Sequence, residues 1–179
     1  MQKYKFTGIT KEVYGRTLNQ IVCVTTFASI KSGEIGGYIE KEANLSQDGN
    51  AWVCGNAWVY GNAKVCEDAE VYGNAKVCGE AEVYGNAKVC GEAILRRGFT
   101  EKVTDYIVIG PQGTRSSFAT FHLHSKTVCT GCFVGNLNEF KKAVYKTHNP
   151  DQGRVTFNNQ YQRVIRVFEF LQEQDKDAQ

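Results

Sequence analysis

The chain has 179 residues and a formal net charge of +2, with 42% hydrophobic and 22% charged residues and Gly 18, Pro 2 and Cys 7. That length allows one domain or two small ones with a real core, and the apolar content excludes a disordered chain. Near-neutral charge removes the broad positive footprint of a nucleic-acid binder, so direct DNA binding is not expected. No apolar run approaches the roughly 18 residues of a membrane span. The start, MQKYKFTGIT, carries no apolar export segment, so a cytoplasmic location is expected. The odd cysteine number argues against a secreted disulfide scaffold.

Residues 1–36 read as an N-terminal β cap. Tyr4–Thr7 and Ile21–Thr25 have strand composition, with Gly15 in the turn region between them. The cap is needed because a repeat array must cover its first coil.

Residues 37–97 carry a repeat. Valines stand at 53, 59, 65, 71, 77, 83 and 89, Leu95 closes the series, and an alanine precedes each by two positions. Looser copies at Gly37/Ile39 and Ala43/Leu45 make ten hexads, with two extra residues around Gln47-Asp48. Within Ala75-Lys76-Val77-Cys78-Gly79-Glu80, Ala75 and Val77 share one strand face, Lys76 and Cys78 the other. Gly79-Glu80 then make a corner, since glycine accepts the left-handed backbone that a tight bend needs. Each hexad is a short strand plus a bend, and successive hexads wind a solenoid. The pattern closely resembles the hexapeptide-repeat left-handed parallel β-helix. That resemblance implies three hexads per triangular coil, hence a little over three coils.

Residues eighteen apart then stack. Cys54, Tyr72 and Cys90 form one outward column, Tyr60 lies under Cys78, and Cys66 lies under Tyr84. The other outward position stacks Lys64 on Glu82 and Glu70 on Lys88, which reads as a solvated face with opposite charges one rung apart. Trp52, Trp58, Tyr60, Tyr72 and Tyr84 give the outer faces more apolar surface than a solitary solenoid shows. Relatives with the resembled fold commonly pack as trimers. A homo-oligomer, a trimer or a multiple of it, is therefore the first expectation for these residues, and recognition of another partner is the competing one.

After Arg96-Arg97-Gly98 the hexads stop, and residues 98–179 read as a small α+β domain. Tyr106–Gly110, Phe118–His124 and Thr127–Phe133 are predicted strands. Asn136 as N-cap with Glu139 three residues on predicts a helix burying Leu137, Phe140 and Val144. Tyr161, Val164, Ile165, Phe168 and Leu171 predict a second helix. Net charges of residues 1–36, 37–95 and 96–179 are +3, −5 and +4, an acidic stem with a basic head.

Two stretches together resemble β-helical proteins encoded by bacteriophages and prophages. One is Gly36-Gly37-Tyr38-Ile39-Glu40 with Asn44-Leu45-Ser46 and the Gly-Asn-Ala-x-Val repeats. The other is Ile109–Ser116 with Thr120-Phe121, Gly131–Gly135 and the helix ending Lys146-Thr147-His148. The resemblance implies action inside a bacterial host by binding, interfering with host machinery.

Many hexapeptide-repeat proteins are acyltransferases and some are zinc enzymes, with histidines on or between the coils. Here all three histidines, His122, His124 and His148, lie beyond the repeats, so an enzyme is not expected and no cofactor is assigned. His122-x-His124 with Cys129-x-x-Cys132 supplies zinc-ligand types. Strand alternation places Cys129 and Cys132 on opposite faces unless Gly131 bends the chain, and core cysteines with surface histidines are the other reading. The segment 109–117 is the favoured ligand loop. Gly113, Thr114, Arg115, Ser116 and Ser117 offer backbone N–H groups, hydroxyls and a guanidinium suited to phosphate. An ordinary hairpin turn is the alternative. Tyr106, His122 and Arg96-Arg97 are its candidate neighbours. The expected function is a non-catalytic, self-associating binding protein whose heads sequester a phosphate-bearing ligand, such as a nucleotide immune signal. A module that clamps a host protein is the alternative.

Overall fold

A computed structural model describes residues 2–113, 116–149, 151 and 155–177. The chain divides into two compact units, Met1–Thr104 and Asp105–Gln179.

The first unit is a short β-solenoid of about four turns behind an antiparallel hairpin. The hairpin is β1 (Tyr4–Val13) and β2 (Arg16–Cys23), and β2 also pairs antiparallel with β3 (Ile35–Ile39). Two-residue strands follow at each hexad: β4 (Trp52–Val53), β5 (Trp58–Val59), β6 (Lys64–Val65), β7 (Glu70–Val71), β8 (Lys76–Val77), β9 (Glu82–Val83), β10 (Lys88–Val89) and β11 (Ile94–Leu95). An additional strand, β12 (Phe99–Thr100), stacks Thr100 on Val83. It lies beyond the predicted end of the repeats because it comes five residues after Leu95 and lacks the Ala-x-Val signature.

Three parallel stacks result. One runs β3-β5-β8-β11 and continues the hairpin sheet, one is β4-β7-β10 and one is β6-β9-β12. Val53, Val71 and Val89 are in register, as are Val59, Val77 and Leu95. The inward Ala and Val positions from Ala51 to Leu95 are all at most 1% exposed. Corners need positive φ. At Gly79 (φ +63°) an added Cβ would also stand 2.5 Å from the Arg96 carbonyl oxygen of the next rung. Glu67 takes the same conformation without being glycine (φ 60°), and its carboxylate accepts the Gly85 N–H at 2.9 Å.

The first coil departs from the repeat. Ala43 is exposed and Asn44 is fully buried instead, at the end of a 3-10 turn (Glu42–Asn44). At the open end of a solenoid the interior presents unpaired carbonyls, and a methyl cannot satisfy them. The Asn44 amide donates to the Gly61 and Ala63 carbonyls at 3.1 and 2.8 Å. The cap does the same at the two-residue insertion. The buried Lys3 ammonium donates to the Ala51 carbonyl at 2.9 Å and more loosely to those of Asp48 and Gly49, and the Tyr4 hydroxyl donates to the Leu45 carbonyl at 2.8 Å.

The expectation of exposed tryptophans is corrected. Trp52 is 2% exposed because Phe27 packs edge-on against it at 5.6 Å. Trp58 is half-buried, with the ammonium groups of Lys11 and Lys76 over its ring at 5.2 and 4.7 Å. Tyr60, Tyr72 and Tyr84 are half-buried in their columns, and Tyr60 and Tyr72 are hydrogen-bonded to Cys78 and Cys90 one rung on. The predicted ion pairs are formed, Lys64–Glu82 at 3.6 Å and Lys88–Glu70 at 3.4 Å.

These columns carry a pH signature. Burial pushes the Cys23, Cys54 and Cys66 thiols above their ordinary 9.0, and burial pushes Tyr4 from 10.0 to about 12. Burial with the Cys78 hydrogen bond raises Tyr60, and the Cys90 hydrogen bond with burial raises Tyr72. A group raised in the folded state contributes stability below its unfolded pKa and loses it as pH rises through the folded value. Lys3 acts oppositely, because burial lowers it from 10.5 to about 8, so its contribution rises with pH between those values. Thermal melts should therefore show the solenoid less stable at strongly alkaline pH than near pH 8. The fall should be steeper in Lys3→Met, and equal slopes in the two proteins would refute this assignment.

The second unit packs two helices on a four-stranded antiparallel meander. The strands are β13 (Tyr106–Gln112), β14 (Ser117–His122), β15 (Thr127–Thr130) and β16 (Phe133–Asn136), in that order across the sheet. The predicted strand Thr127–Phe133 is thus two strands, because the chain turns at Gly131 (φ 51°) and pairs Cys129 with Val134. The helices are α1 (Leu137–Thr147) and α2 (Val155–Asp177). Asn136 and Glu139 form the expected capping box, with hydrogen bonds of 2.9 and 2.8 Å. Phe121, Phe140, Val144, Tyr161, Val164, Ile165 and Phe168 make the core. Among the described residues no helix is long and apolar enough to cross a membrane.

Candidate functional site

Hairpin geometry governs the 109–117 segment. Gln112 pairs with Ser117, the Ser116 N–H donates to the Gly113 carbonyl at 3.3 Å, and both Gly113 and Ser116 have positive φ. The turn rests on α2. The Gly113 N–H donates to Gln160 Oε1 at 2.9 Å, and a Cβ on Gly113 would stand 2.5 Å from the Tyr161 hydroxyl. Two of the N–H groups expected to converge on a ligand are thereby engaged within the protein. Thr114 and Arg115 lie outside the described residues.

Tyr106 and His122 are brought together as cross-strand partners, both buried. His122 Nδ1 lies 2.9 Å from Ser125 Oγ and accepts the Ser125 N–H at 3.3 Å, which closes the turn after β14. Its structural use there corrects the picture of surface histidines. His124 Nε2 is 3.1 Å from the carboxylate of buried Asp105. Cys129 is buried in β15 and Cys132 is exposed at the turn. Among the described residues no three His, Cys, Asp or Glu side chains are placed to hold a metal ion. Arg96 and Arg97 belong to the first unit, where they follow β11.

A different cluster gathers cations among the described residues of the second unit. A groove of about 580 Å³ runs between α1 and α2, bordered by Lys141, Lys142 and Tyr145 on one side and Arg166 and Glu169 on the other, over Ile165. Lys141 is ion-paired with Glu169, while Lys142 and Arg166 form no ion pair among the described residues. Three cations thus face one carboxylate. Tyr145 is 53% exposed, and its hydroxyl lies 3.4 Å from Asp151. The volume falls within the roughly 300–1,000 Å³ of small-molecule sites. Guanidinium and ammonium groups beside an exposed aromatic ring suit a phosphate attached to a flat base. The sequence carried a partial signal in Lys141-Lys142 and in Arg163 with Arg166 three positions apart, but both sets read as solvated outer faces until the helices are paired.

Compared with models of known protein families, the chain matches none. A search of curated proteins gives no significant match.

Proposed function

We propose that the chain is a non-catalytic, self-associating binding protein whose C-terminal unit takes a phosphate-bearing ligand of nucleotide type. The observation that carries this reading is the α1–α2 groove, with Lys142 and Arg166 unpaired beside exposed Tyr145. The non-catalytic reading is supported by the structural use of His122, whose ring is tied to Ser125, and by the burial of His148. Self-association through the solenoid keeps Trp58, Tyr60, Tyr72 and Tyr84 as its candidate contacts, now without Trp52. The resemblance to phage β-helical proteins supplies the setting, in which holding a nucleotide signal blunts a host defence.

Calorimetric titration with a panel of cyclic and linear nucleotides tests the reading. Saturable binding is expected, and Lys142→Glu with Arg166→Glu should weaken it at least about tenfold, since charge-assisted hydrogen bonds contribute about 1.5–3 kcal/mol each. Failure of every nucleotide to bind defeats the proposal. Binding that survives the double variant but falls with Arg115→Ala moves the site back to the hairpin.

A protein partner is the second reading. It is favoured by Val167 and Phe170, three positions apart on α2 and 42% and 58% exposed. Pull-down from host lysate with Phe170→Asp as control separates the two.

A further inference from the structure

The first unit has a cleft that no repeat rule requires. It has a volume of about 360 Å³ and lies over the outer face of the β4-β7-β10 stack, beside the loop Phe27–Ile30. That loop is closed on itself, with the N–H and carbonyl groups of Phe27 and Ile30 exchanging hydrogen bonds of 3.1 and 2.8 Å. Ala28 within it holds a left-handed backbone at φ 44°, strain that the surrounding structure must impose. Phe27 is pinned by the Lys3 ammonium 5.1 Å above its ring and by Trp52. The wall beside the cleft is therefore preformed.

Two of its lining groups bear on what it can hold. Trp52 lines the cleft, and its buried indole Nε1–H has no acceptor among the described residues; Trp58 shares that feature but does not line the cleft. The corner column Asn56–Asn74–Glu92 is linked by side-chain hydrogen bonds along its whole length. The column lining the cleft is not: Asn50 donates to Asp68 at 2.8 Å, but the Asn86 amide makes no hydrogen bond among the described residues. Lys88, the one cation among the described lining residues, is already paired with Glu70 at 3.4 Å.

We propose that this cleft binds a neutral polyhydroxylated ligand of saccharide type. Residues with donors (Trp52 and Asn86) and with acceptors (the Asp68 and Glu70 carboxylates) line one cavity, and hydroxyl groups complement both kinds. Two carboxylates disfavour a phosphate. The Glu70–Lys88 pair leaves a single uncompensated carboxylate, Asp68, as the attraction for a cation. This site is independent of the α1–α2 groove and stands or falls separately from it.

Nuclear magnetic resonance of ¹⁵N-labelled protein reads the cleft directly, because each of the two tryptophans gives one indole N–H signal. Trp58→Phe assigns them. Titration with maltose or glucose is expected to move the Trp52 signal saturably while that of Trp58 stays in place. Asp68→Ala and Asn86→Ala, both at outward corner positions, should each weaken the response at least about tenfold with the melting temperature little changed. Spermidine and inorganic phosphate serve as cationic and anionic probes. A Trp52 signal unmoved by either sugar overturns the proposal, as does one that moves with spermidine or phosphate instead. Sugar binding unaffected by both substitutions overturns it too.

Discussion

Val77→Asp is expected to abolish the cooperative unfolding transition of the solenoid. Val77 is fully buried between Val59 and Leu95, one rung below and one above, and its own carbonyl accepts the Tyr60 N–H at 3.0 Å. A carboxylate there has no cation to meet. The effective cost of burying an unpaired charge is several kcal/mol, comparable with the ~5–15 kcal/mol that holds a whole domain together. Val77→Ala removes only methyl groups and should cost about 2–3 kcal/mol. Glu82→Ala, on the outward face and paired with Lys64, should cost less than about 1 kcal/mol. Circular dichroism melts of the three variants rank these effects. A Val77→Asp protein that melts like the parent would show that the interior is not the dry Ala–Val stack described.

The repeat was legible in the sequence because the coil imposes its own period. Each inward position sees only the residues one coil away, so the Ala-x-Val signature and the Lys64–Glu82 and Glu70–Lys88 pairs follow from spacing alone. The Asn136–Glu139 box was legible for a similar reason, since both partners sit within one helical turn. Features made by distant segments were not. Phe27 buries Trp52 from twenty-five positions away, and nothing in the hexad pattern marks which outward column a cap loop will cover. Asn44 takes the inward place in Ala43's stead because the first coil ends in carbonyls, a requirement that exists only once the coil is closed. Gly131 was visible as a possible bend but not as a full reversal, because the partner that makes it a hairpin, Val134 opposite Cys129, lies beyond the segment read as one strand. The candidate groove shows the same limit, since Lys142 and Arg166 meet only after α1 and α2 are packed.

That packing supports the second prediction. Phe168 is fully buried in α2 and stacks on Phe121 of β14, with ring centroids 4.9 Å apart and an interplanar angle of 22°. Phe168→Ala should destabilise the second unit by about 3–5 kcal/mol, because it removes a large apolar side chain and leaves a cavity that the sheet cannot close. Phe168→Leu keeps much of the volume and should recover more than half of that loss. The position also links stability to the candidate site. Arg166 stands two residues before Phe168, and Gln160, which holds the 109–117 hairpin, lies two turns earlier on the same helix. If the groove binds the nucleotide, Phe168→Ala should weaken binding at temperatures well below its own melting point, because α2 is no longer held in one register against α1. Phe168→Leu should restore affinity along with stability. Affinity unchanged in Phe168→Ala, measured where the unit is still folded, would separate ligand binding from α2 and remove the groove as its site.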